Sequence, residues 1–586
     1  MKLKEIDLIT TEVVHNALQS IAEQMGAALV RASYSTNIKE RRDCSCAIFD
    51  SKGHLVTLAE HIPIHLGSMQ GLIQNVTRNL DSWNLDPGDV IIANDPYKGG
   101  GSHLPDVTLI RPIFYQESLV AFVSNIAHWT DVGGRMPGVG TAGDSTELLQ
   151  EGLRISPILI MKRDQIRDDI LDLILLNMRN QKVRLGDFRA QIASLRLGER
   201  HLVKLYTHYN DEAISNCISV LFNYSERRLQ RALRQVSEGI YHFTDAMDDD
   251  GIDSEPVQIS VKIKISHGSS PSIKFDFSGT EPQTAGGINM AWPALLATVL
   301  YSVKAIFAHD VPVNAGFQRP IHIEAPEGCL VNAQEDAAVG GRTDTCQRVV
   351  DVIMGAIGKV APERVVAAST GATTAIIFGG TKNLTGKDFV YVEAIGGGMG
   401  ASSNKDGMDG VQVHITNTSN LPIEAMELEY PLRVVHYGLI PDGGGAGRFR
   451  GGLPIQKDIQ ALKPILFSAH SDRHKIPPWG FMGGAKGECG KFILNPDTAN
   501  KMIIPSKTSG VLLKSGDIMR IKTAGGGGFG SAFERNIDDV LRDYILGKIS
   551  LGEAYEKYGV VLKDQGFVDI KATNDLRKQS RLKKEE

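Results

Sequence analysis

The stretch Asn94-Asp-Pro-Tyr-Lys-Gly-Gly-Gly-Ser-His-Leu-Pro-Asp106 connects two short apolar segments of a 586-residue chain. Three consecutive glycines between two prolines can neither continue a helix nor occupy a central strand, so we predict a loop. A turn at 87–89 and apolar residues at 90–93 predict a strand that enters this loop, and residues 107–115 predict the strand that leaves it. The polar tip of the loop is therefore expected at the end of two strands.

Two His-x-x-Asp pairs follow predicted strands. His103 and Asp106 end the loop, while His128 and Asp131 follow the next predicted strand and precede two glycines. Loops at strand ends commonly present ligands from a rigid scaffold, and imidazole with carboxylate suits zinc, manganese or iron. We therefore predict that the two pairs converge on one metal ion. Two further His-x-x-Asp pairs, His208/Asp211 and His242/Asp245, lie in or beside polar sequence predicted to be helical. About two such pairs are expected by chance, so we assign these two no role.

Several nearby residues are reserve candidates for a fourth ligand or for a supporting role. They are Glu40, Asp43, His61 and His65. A lone histidine beside an apolar turn is more often a satisfied structural group, and we expect this of His54, His61 and His65.

The apolar pattern changes along the chain. Residues 7–32 predict an amphipathic helix and residues 41–58 predict a β-hairpin. Helical patterns fill 164–240, strands are expected at 257–265 and 273–277, and helices at 292–309, 345–358, 536–546 and 551–558, with glycine-punctuated strand and loop from about 387 onward. A chain of this length exceeds one hydrophobic core, so we predict a multidomain α+β protein. Its predicted parts are an α/β metal-binding region at 1–160, an all-helical, insert-like region at 161–240, an α+β domain at 241–400, and a Gly-rich, mostly β domain with C-terminal helices at 401–586.

Composition excludes several classes of protein. A net charge of -5 and a pI near 6.4 offer no attraction for nucleic acid or anionic lipid. The six cysteines contain no C-x-x-C pair, and the N-terminus has no signal-peptide pattern, so we expect a cytoplasmic protein. The uncharged run at 285–303 includes Gly-Gly, Asn and Trp-Pro and is expected to be buried core rather than a membrane span.

Motifs for nucleotides and nucleophiles are weak. Residues 525–530 fit G-x-G-x-x-G without a surrounding βαβ unit, and residues 380–387 lack the first glycine and the Ser/Thr of a phosphate loop. Cys44, Cys46 and Cys346 have no activating histidine in sequence and are expected to be buried apolar residues, and G-x-S-x-G is absent. Any ATP chemistry is therefore expected on another chain.

Ordered phrases along nearly the whole chain resemble the B subunit of the hydantoinase/oxoprolinase group, which includes subunits of acetone and acetophenone carboxylases and of caprolactamase. The phrases are Arg42-Asp-Cys-Ser-Cys-Ala-Ile-Phe-Asp50, Gly88-Asp-Val-Ile-Ile-Ala-Asn-Asp-Pro-Tyr97, His103-Leu-Pro-Asp106, His128-Trp-Thr-Asp-Val-Gly-Gly134, Phe275-Asp-Phe-Ser-Gly279, Glu429-Tyr-Pro-Leu-Arg433, Gly443-Gly-Gly-Ala-Gly-Arg-Phe-Arg-Gly-Gly452, Pro477-Pro-Trp-Gly480 and Thr523-Ala-Gly-Gly-Gly-Gly-Phe-Gly530.

The resemblance implies a site and a partner. By position it assigns the metal ligands to His103, Asp106 and His128, with Asp43 as the less secure fourth. Asp43 and Asp131 are the candidate catalytic carboxylates, and Asp131 is expected to act by orienting a histidine. The implied partner is a hydantoinase A-like subunit that binds ATP and magnesium, in a heterotetramer or larger complex, while this chain holds zinc or manganese, or else iron.

Three functions are open at this point. The first is ATP-dependent hydrolysis of a cyclic amide such as a hydantoin, 5-oxoproline or a lactam, in which the partner phosphorylates the amide oxygen. The chain length favours it modestly over the second, ATP-dependent carboxylation of a ketone. The third is a non-catalytic scaffold protein without a metal.

Overall fold

The computed structural model describes residues 8–59, 62–138, 140, 143–381, 384, 386, 388–563 and 567–585. Its first sheet has seven strands, all paired antiparallel, in the order β2-β1-β5-β4-β3-β6-β7. The order places β5 beside both β1 and β4, so the ends of these strands lie together. The strands are β1 (Cys44–Asp50), β2 (Leu55–Ala59), β3 (Val90–Ala93), β4 (Asp106–Tyr115), β5 (Ser118–His128), β6 (Ile158–Lys162) and β7 (Gln165–Ile166).

Helices from both ends of this region cover the sheet. The first helix, α1 (Leu8–Ala32), buries the apolar residues Val14, Leu18, Ile21, Met25 and Leu29, as their three- and four-residue spacing predicts. It packs on the long helix at residues 181–209 and on the β1–β2 hairpin. The helices are α1 (Leu8–Ala32), α2 (Thr36–Lys39), α3 (His65–Arg78), α4 (Leu80–Trp83), α5 (Asp168–Leu176), α6 (Gln181–Tyr209) and α7 (Asp211–Leu233).

A second sheet of four strands packs against a fully buried helix. In α10 every residue is buried, because the helix passes between this sheet and the rest of the molecule. The strand order is β11-β10-β9-β8. The elements are β8 (Gly239–Met247), β9 (Val257–Ser266), β10 (Ser272–Asp276), α8 (Trp292–Phe307), α9 (Ala315–Gln318), β11 (Ile321–Glu324) and α10 (Arg342–Gly358).

The C-terminal part contains two further sheets, of four and five strands, with the orders β13-β12-β16-β19 and β14-β15-β20-β17-β18. A two-stranded sheet and three helices follow. The elements are β12 (Ala375–Gly380), β13 (Phe389–Ala394), α11 (Ile423–Glu429), β14 (Leu432–Leu439), β15 (Ile455–Ala461), β16 (Ile465–His470), β17 (Lys491–Leu494), β18 (Met502–Ile504), β19 (Lys507–Leu513), β20 (Ile518–Lys522), α12 (Ile537–Ile545), α13 (Leu551–Glu556), β21 (Leu562–Lys563), β22 (Phe567–Val568) and α14 (Ile570–Glu585).

Glycine-rich loops near the C-terminal sheets pack backbone against backbone. A Cβ on Gly451 would lie 2.0 Å from the carbonyl oxygen of Gly526, and a Cβ on Gly398 would lie 2.0 Å from that of Gly452. Gly526 N in turn donates to Gly452 O at 2.9 Å. The glycines at 525–530 therefore serve close loop packing, which accounts for the G-x-G-x-x-G match without a dinucleotide.

The predicted α+β class is confirmed. The β1–β2 hairpin, the strand at 90–93 and the helix from residue 8 all form as predicted. Several helices differ from prediction. The helix α3 lies where no element was expected, α11 interrupts a region expected to be strand and loop, and α2, α4, α9 and α14 were not predicted either. His242 and Asp245, expected beside helical sequence, lie on β8.

Buried side chains from distant parts of the sequence share cores. One apolar core draws on residues from Ala47 to Ile415, and a second on residues from Val14 to Val339. The predicted division of the chain into four parts stays a prediction. The uncharged run at 285–303 leads into the 16-residue helix α8, which is mostly buried but exposes Trp292 and Ala305. None of the helices in the described part of the chain combines the length and apolar character that a membrane crossing requires.

Candidate metal centre

The loop from Asn94 to Asp106 is held in a compact shape by its own polar groups. The Asn94 side chain donates to Leu104 O at 2.8 Å and to Leu153 O at 2.9 Å, and accepts from Ile155 N at 2.6 Å. At Gly101 a Cβ would lie 2.6 Å from the carbonyl oxygens of both His103 and Asp106. Glycine is therefore required where the backbone folds back on the polar tip.

His103, Asp106 and His128 form one cluster, in which each residue offers a ligand atom within 4.8 Å of the others. His103 Nε2 lies 3.4 Å from Asp106 Oδ1, and the two imidazole ring centres are 5.0 Å apart. All three side chains are buried. Two loops that are distant in sequence thus bring together the three residues that the sequence singles out.

His103 and Asp106 each have one polar side-chain atom in a hydrogen bond with a residue outside the cluster. His103 Nδ1 lies 2.8 Å from Gly140 O, and Asp106 Oδ2 accepts from Ser102 Oγ at 2.6 Å. Among the described residues, His103 Nε2 and Asp106 Oδ1 have no hydrogen-bond partner although both atoms are buried. Unpaired buried polar atoms are costly, and two of them facing each other fit a bound cation.

His128 and Asp43 are joined by Asn37. Asn37 Nδ2 lies 3.1 Å from His128 Nδ1 and 3.4 Å from Asp43 Oδ2, and it donates to His128 O at 2.9 Å. Asp43 O also accepts from His128 N at 3.0 Å. Asp43 therefore lies near the cluster but is not one of the residues whose ligand atoms lie within 4.8 Å of one another, and its role as a fourth ligand stays a prediction.

His65 enters the same site from the start of α3. Its Nε2 lies 3.6 Å from Asp43 Oδ1 and 3.7 Å from Asp106 Oδ1, while Nδ1 lies 3.0 Å from Ser45 Oγ. The sequence offered His65 only as a reserve candidate, because no helix was predicted there to carry the ring inward.

Other candidates lie elsewhere. The Asp131 carboxylate pairs with Arg179 at 2.8 Å and accepts from the backbone of Gly133 and Arg179, and among the described residues it contacts no histidine. Glu40 is exposed, and His54 is an exposed ring that pairs with Asp50. His61 lies outside the described residues.

The cysteines offer no nucleophile to this site. All six lie in the described part of the chain and are free thiols. Burial raises the pKa of Cys46 to about 12 and that of Cys346 to about 11, and it raises the pKa of Cys44 well above its usual value. These thiols stay protonated near neutral pH.

The electrostatics of the cluster suit a metal. Burial, together with the nearby Arg342 guanidinium, lowers the pKa of His103 to about 3, and burial also lowers the pKa of His128. Burial alone would raise the pKa of Asp106, but His103 and His65 outweigh it and hold the pKa of that carboxyl well below its usual range. Two neutral imidazoles and a carboxylate are the ligand forms that a divalent ion needs.

Two residues from α10 complete the surroundings, and no motif in the sequence points to either. Arg342 donates to Ser102 Oγ at 2.8 Å and to Asp106 Oδ2 at 3.3 Å. Asp344 Oδ2 lies 2.8 Å from Nδ1 of His470, a residue 126 positions later at the end of β16.

One cavity lies at the cluster and a second shares two wall residues with it. A small cavity of about 50 Å³ is lined by the cluster, Asp43, His65, Arg342 and His470. A larger one of about 430 Å³, with mostly apolar walls, shares Ile62 and Thr416 with it. The larger cavity has the size of a small-molecule site.

The chain matches the family model described as Hydantoinase B/oxoprolinase over residues 7–532. It is 40% identical to a protein of Methanocaldococcus jannaschii over 98% of this chain and 100% of that one. It is 33% identical to a protein of Pseudomonas sp. (strain NS671) named as the B component of a D-/L-hydantoinase, over 98% of this chain and 99% of that one. The match to 5-oxoprolinase of Dictyostelium discoideum is 34% identical and covers 90% of this chain but 40% of that protein.

Two solved structures share the fold. The ATP-dependent caprolactamase from Pseudomonas jessenii superposes with a TM-score of 0.90 at 29% identity, over 98% of this chain and 100% of that one. An acetone carboxylase chain superposes with a TM-score of 0.90 at 17% identity, over 100% of this chain and 84% of that one, and this likeness concerns the fold alone. With the family model matching most of its length, the chain belongs to the hydantoinase B/oxoprolinase family.

Proposed function

We propose that this chain is the metal-binding B subunit of an ATP-dependent cyclic amide hydrolase, acting on a substrate that an A subunit has phosphorylated. The observation that carries the proposal is the buried cluster of His103, Asp106 and His128 with two facing unpaired atoms, in a chain of this family. A scaffold protein would have no need to bury such atoms unpaired.

His103, Asp106 and His128 would hold the metal, with Asp43 as the fourth ligand. Zinc, manganese and iron all accept imidazole and carboxylate. When bound, such an ion lowers the pKa of a coordinated water and polarises a carbon–oxygen bond. We propose no catalytic role for Asp131, because its pairing with Arg179 supports a structural one.

The chain's own residues fix the ligands in place. Gly140 O holds the His103 ring, Asn37 holds the His128 ring, and Ser102 with Arg342 holds Asp106. Such outer contacts orient ligands and tune their affinity for metal. Burial of the whole group keeps bulk water away from an activated substrate.

The larger cavity supports a small, largely apolar substrate. Its walls include Leu58, Leu66, Leu300 and Val313, with a few polar groups such as Gln412 among them. A ring amide offers this combination of hydrocarbon and one polar group. The larger cavity shares Ile62 and Thr416 with the small cavity at the cluster, and we propose that the ring binds in the larger cavity with its amide directed to the cluster.

We propose that ATP and magnesium bind to a hydantoinase A-like partner. The sequence has no phosphate-loop motif, a relative is named as one component of a hydantoinase, and the Dictyostelium oxoprolinase is longer than the matched region. These facts support a second polypeptide that supplies the missing part. A heterotetramer or larger complex stays a prediction.

The test is co-expression with the neighbouring A subunit, followed by an assay of the purified complex. We expect ATP-dependent ring opening of at least one lactam, hydantoin or 5-oxoproline. A bicarbonate-dependent product that gains one carbon from a ketone would instead support the carboxylase alternative.

Metal analysis tests the site itself. We expect the wild-type chain to keep a divalent metal through dialysis, and the variants His103→Ala and His128→Ala to lose it together with ring opening. His54→Ala, a histidine–aspartate pair outside the cluster, serves as the matched control. Equal metal content in all four proteins would leave only the scaffold alternative.

A further inference from the structure

A histidine in the wall of the small cavity, His470, pairs with an aspartate and is not part of the metal cluster. His470 Nδ1 lies 2.8 Å from Asp344 Oδ2, and the side chains are 1% and 0% exposed. Both come from rigid elements, because His470 ends β16 and Asp344 lies in the first turn of α10. His470 thus lines the cavity that has His103, Asp106 and His128 in its wall, while Asp344 is not part of that wall.

Asp344 is itself fixed. Its Oδ1 accepts from Thr373 N at 2.8 Å, so one oxygen is held by backbone and the other holds the imidazole. A carboxylate on Nδ1 holds the ring in one orientation. Among the described residues, His470 Nε2 has no hydrogen-bond partner, so this nitrogen is free to exchange a proton with a molecule in the cavity.

The other charged groups around His470 are already paired. Lys507, opposite His470 on β19, pairs with Asp472 at 2.9 Å and with Asp249 at 3.2 Å. Arg342, on the same helix as Asp344, is directed to Ser102 and Asp106. His65 also lines the cavity, but its Nε2 lies 3.6 Å from Asp43 and 3.7 Å from Asp106, so His470 is better placed to exchange a proton with a bound molecule.

Ring opening of a phosphorylated amide needs such a proton. After water adds to the amide carbon, that carbon bears a hydroxyl, a phosphate ester oxygen and the ring nitrogen. If phosphate leaves, the lactam is regenerated and ATP is wasted. If the nitrogen leaves, the ring opens. An amine leaves only when it is protonated, whereas phosphate leaves without help.

We propose that His470, held by Asp344, donates the proton to the ring nitrogen and so directs the intermediate to ring opening. This rests on the proposed function. The C–N bond breaks and its electron pair takes the proton from His470 Nε2, while the hydroxyl on the same carbon releases its proton to solvent and its oxygen becomes the carbonyl of an acyl phosphate. A second water then gives the carboxylate and free phosphate, while His470 regains a proton from solvent or from the first water.

The experiment compares the wild-type complex with His470→Gln in water enriched in oxygen-18. In the wild type, ADP and ring-opened product form in equal amounts and recovered lactam carries no label. In His470→Gln, ring opening falls by about 10²–10⁴-fold, the contribution typical of a general acid. Phosphate release falls less, and recovered lactam gains the label because its carbonyl oxygen now comes from water.

Controls separate this outcome from simple damage. With Asp344→Asn, recovered lactam should also gain oxygen-18, but to a smaller extent. This variant tests the proposal if His470→Gln does not fold. His54→Gln, which alters an exposed histidine–aspartate pair, should behave as the wild type. Metal content should be unchanged in all variants.

Three results overturn the proposal. Unlabelled lactam and an unchanged ratio of ADP to product in His470→Gln would show that another group gives the proton. Loss of metal in His470→Gln would make it a ligand. If the wild-type complex opens no ring amide at all, the proposed function fails and this inference fails with it.

Discussion

Asp106 and His128 lie directly opposite each other on the neighbouring antiparallel strands β4 and β5. Asp106 is the first residue of β4 and His128 is the last residue of β5. The hydrogen bonds between the two strands therefore fix the distance between the Cα atoms of these residues. His103 joins them from the loop three residues before Asp106. The cluster therefore rests on a rigid sheet rather than on mobile segments, as a preorganised metal site requires.

Arg342 supports this arrangement from outside. We expect Arg342→Gln to weaken metal binding by about 10–100-fold, the usual cost of losing a contact behind a ligand, because Asp106 then loses a charged partner. Competition with a chelating indicator measures the affinity. The control is Arg154→Gln, which removes a pair with Asp95 in the same loop but not at Asp106. Equal affinity in both variants would contradict the assigned role.

Asp131 shares the His-x-x-Asp motif with Asp106, but its contacts indicate a different role. It has the same spacing from His128 as Asp106 has from His103, yet it pairs with Arg179. We expect Asp131→Asn to lower the free energy of unfolding by about 1–3 kcal/mol, the range for a hydrogen bond to a charged group, and to leave metal content unchanged. Denaturant unfolding and elemental analysis measure the two effects, and loss of metal would restore Asp131 to the site.

The sequence could predict the three-residue cluster because its members lie at the ends of predicted strands that follow one another closely in the chain and are therefore expected to pair. The position of His65 depends on α3, a helix that was not predicted although the three- and four-residue spacing of Leu66, Met69, Ile73 and Val76 indicates one. Arg342 and the pair of Asp344 with His470 reach the site through packing between elements far apart in the chain. Asp131 is a residue that the sequence pattern wrongly included, because its spacing from His128 does not tell which way its carboxylate points.

Glu151 makes stability depend on pH. Burial raises the pKa of Glu151 to about 8, although Val339 N and Gly340 N donate to its Oε1. The folded protein therefore holds a proton there that the unfolded chain releases near its ordinary pKa of about 4.5. This contribution is fully present below pH 4.5 and is lost as the pH rises toward 8, at up to about 1.4 kcal/mol per pH unit.

Glu151→Gln should remove that dependence, because the amide mimics the protonated acid. We expect the variant to match the wild type near pH 4.5 and to melt at a higher temperature at pH 8. Scanning calorimetry of both proteins across this range measures the difference. Parallel curves would show that Glu151 stays ionised in the folded protein.

Ala305 tests the larger cavity. It lines that cavity from an exposed position on α8, so Ala305→Trp should narrow the opening without disturbing the core. We expect KM to rise for the larger ring amides more than for the smallest ones, while metal content and kcat for the smallest change little, since only entry and binding are affected. Ala499→Trp, at another exposed alanine outside the cavity, is the matched control. If substrates of all sizes respond equally to Ala305→Trp, the ring does not bind there, and the substrate must reach the cluster by another route.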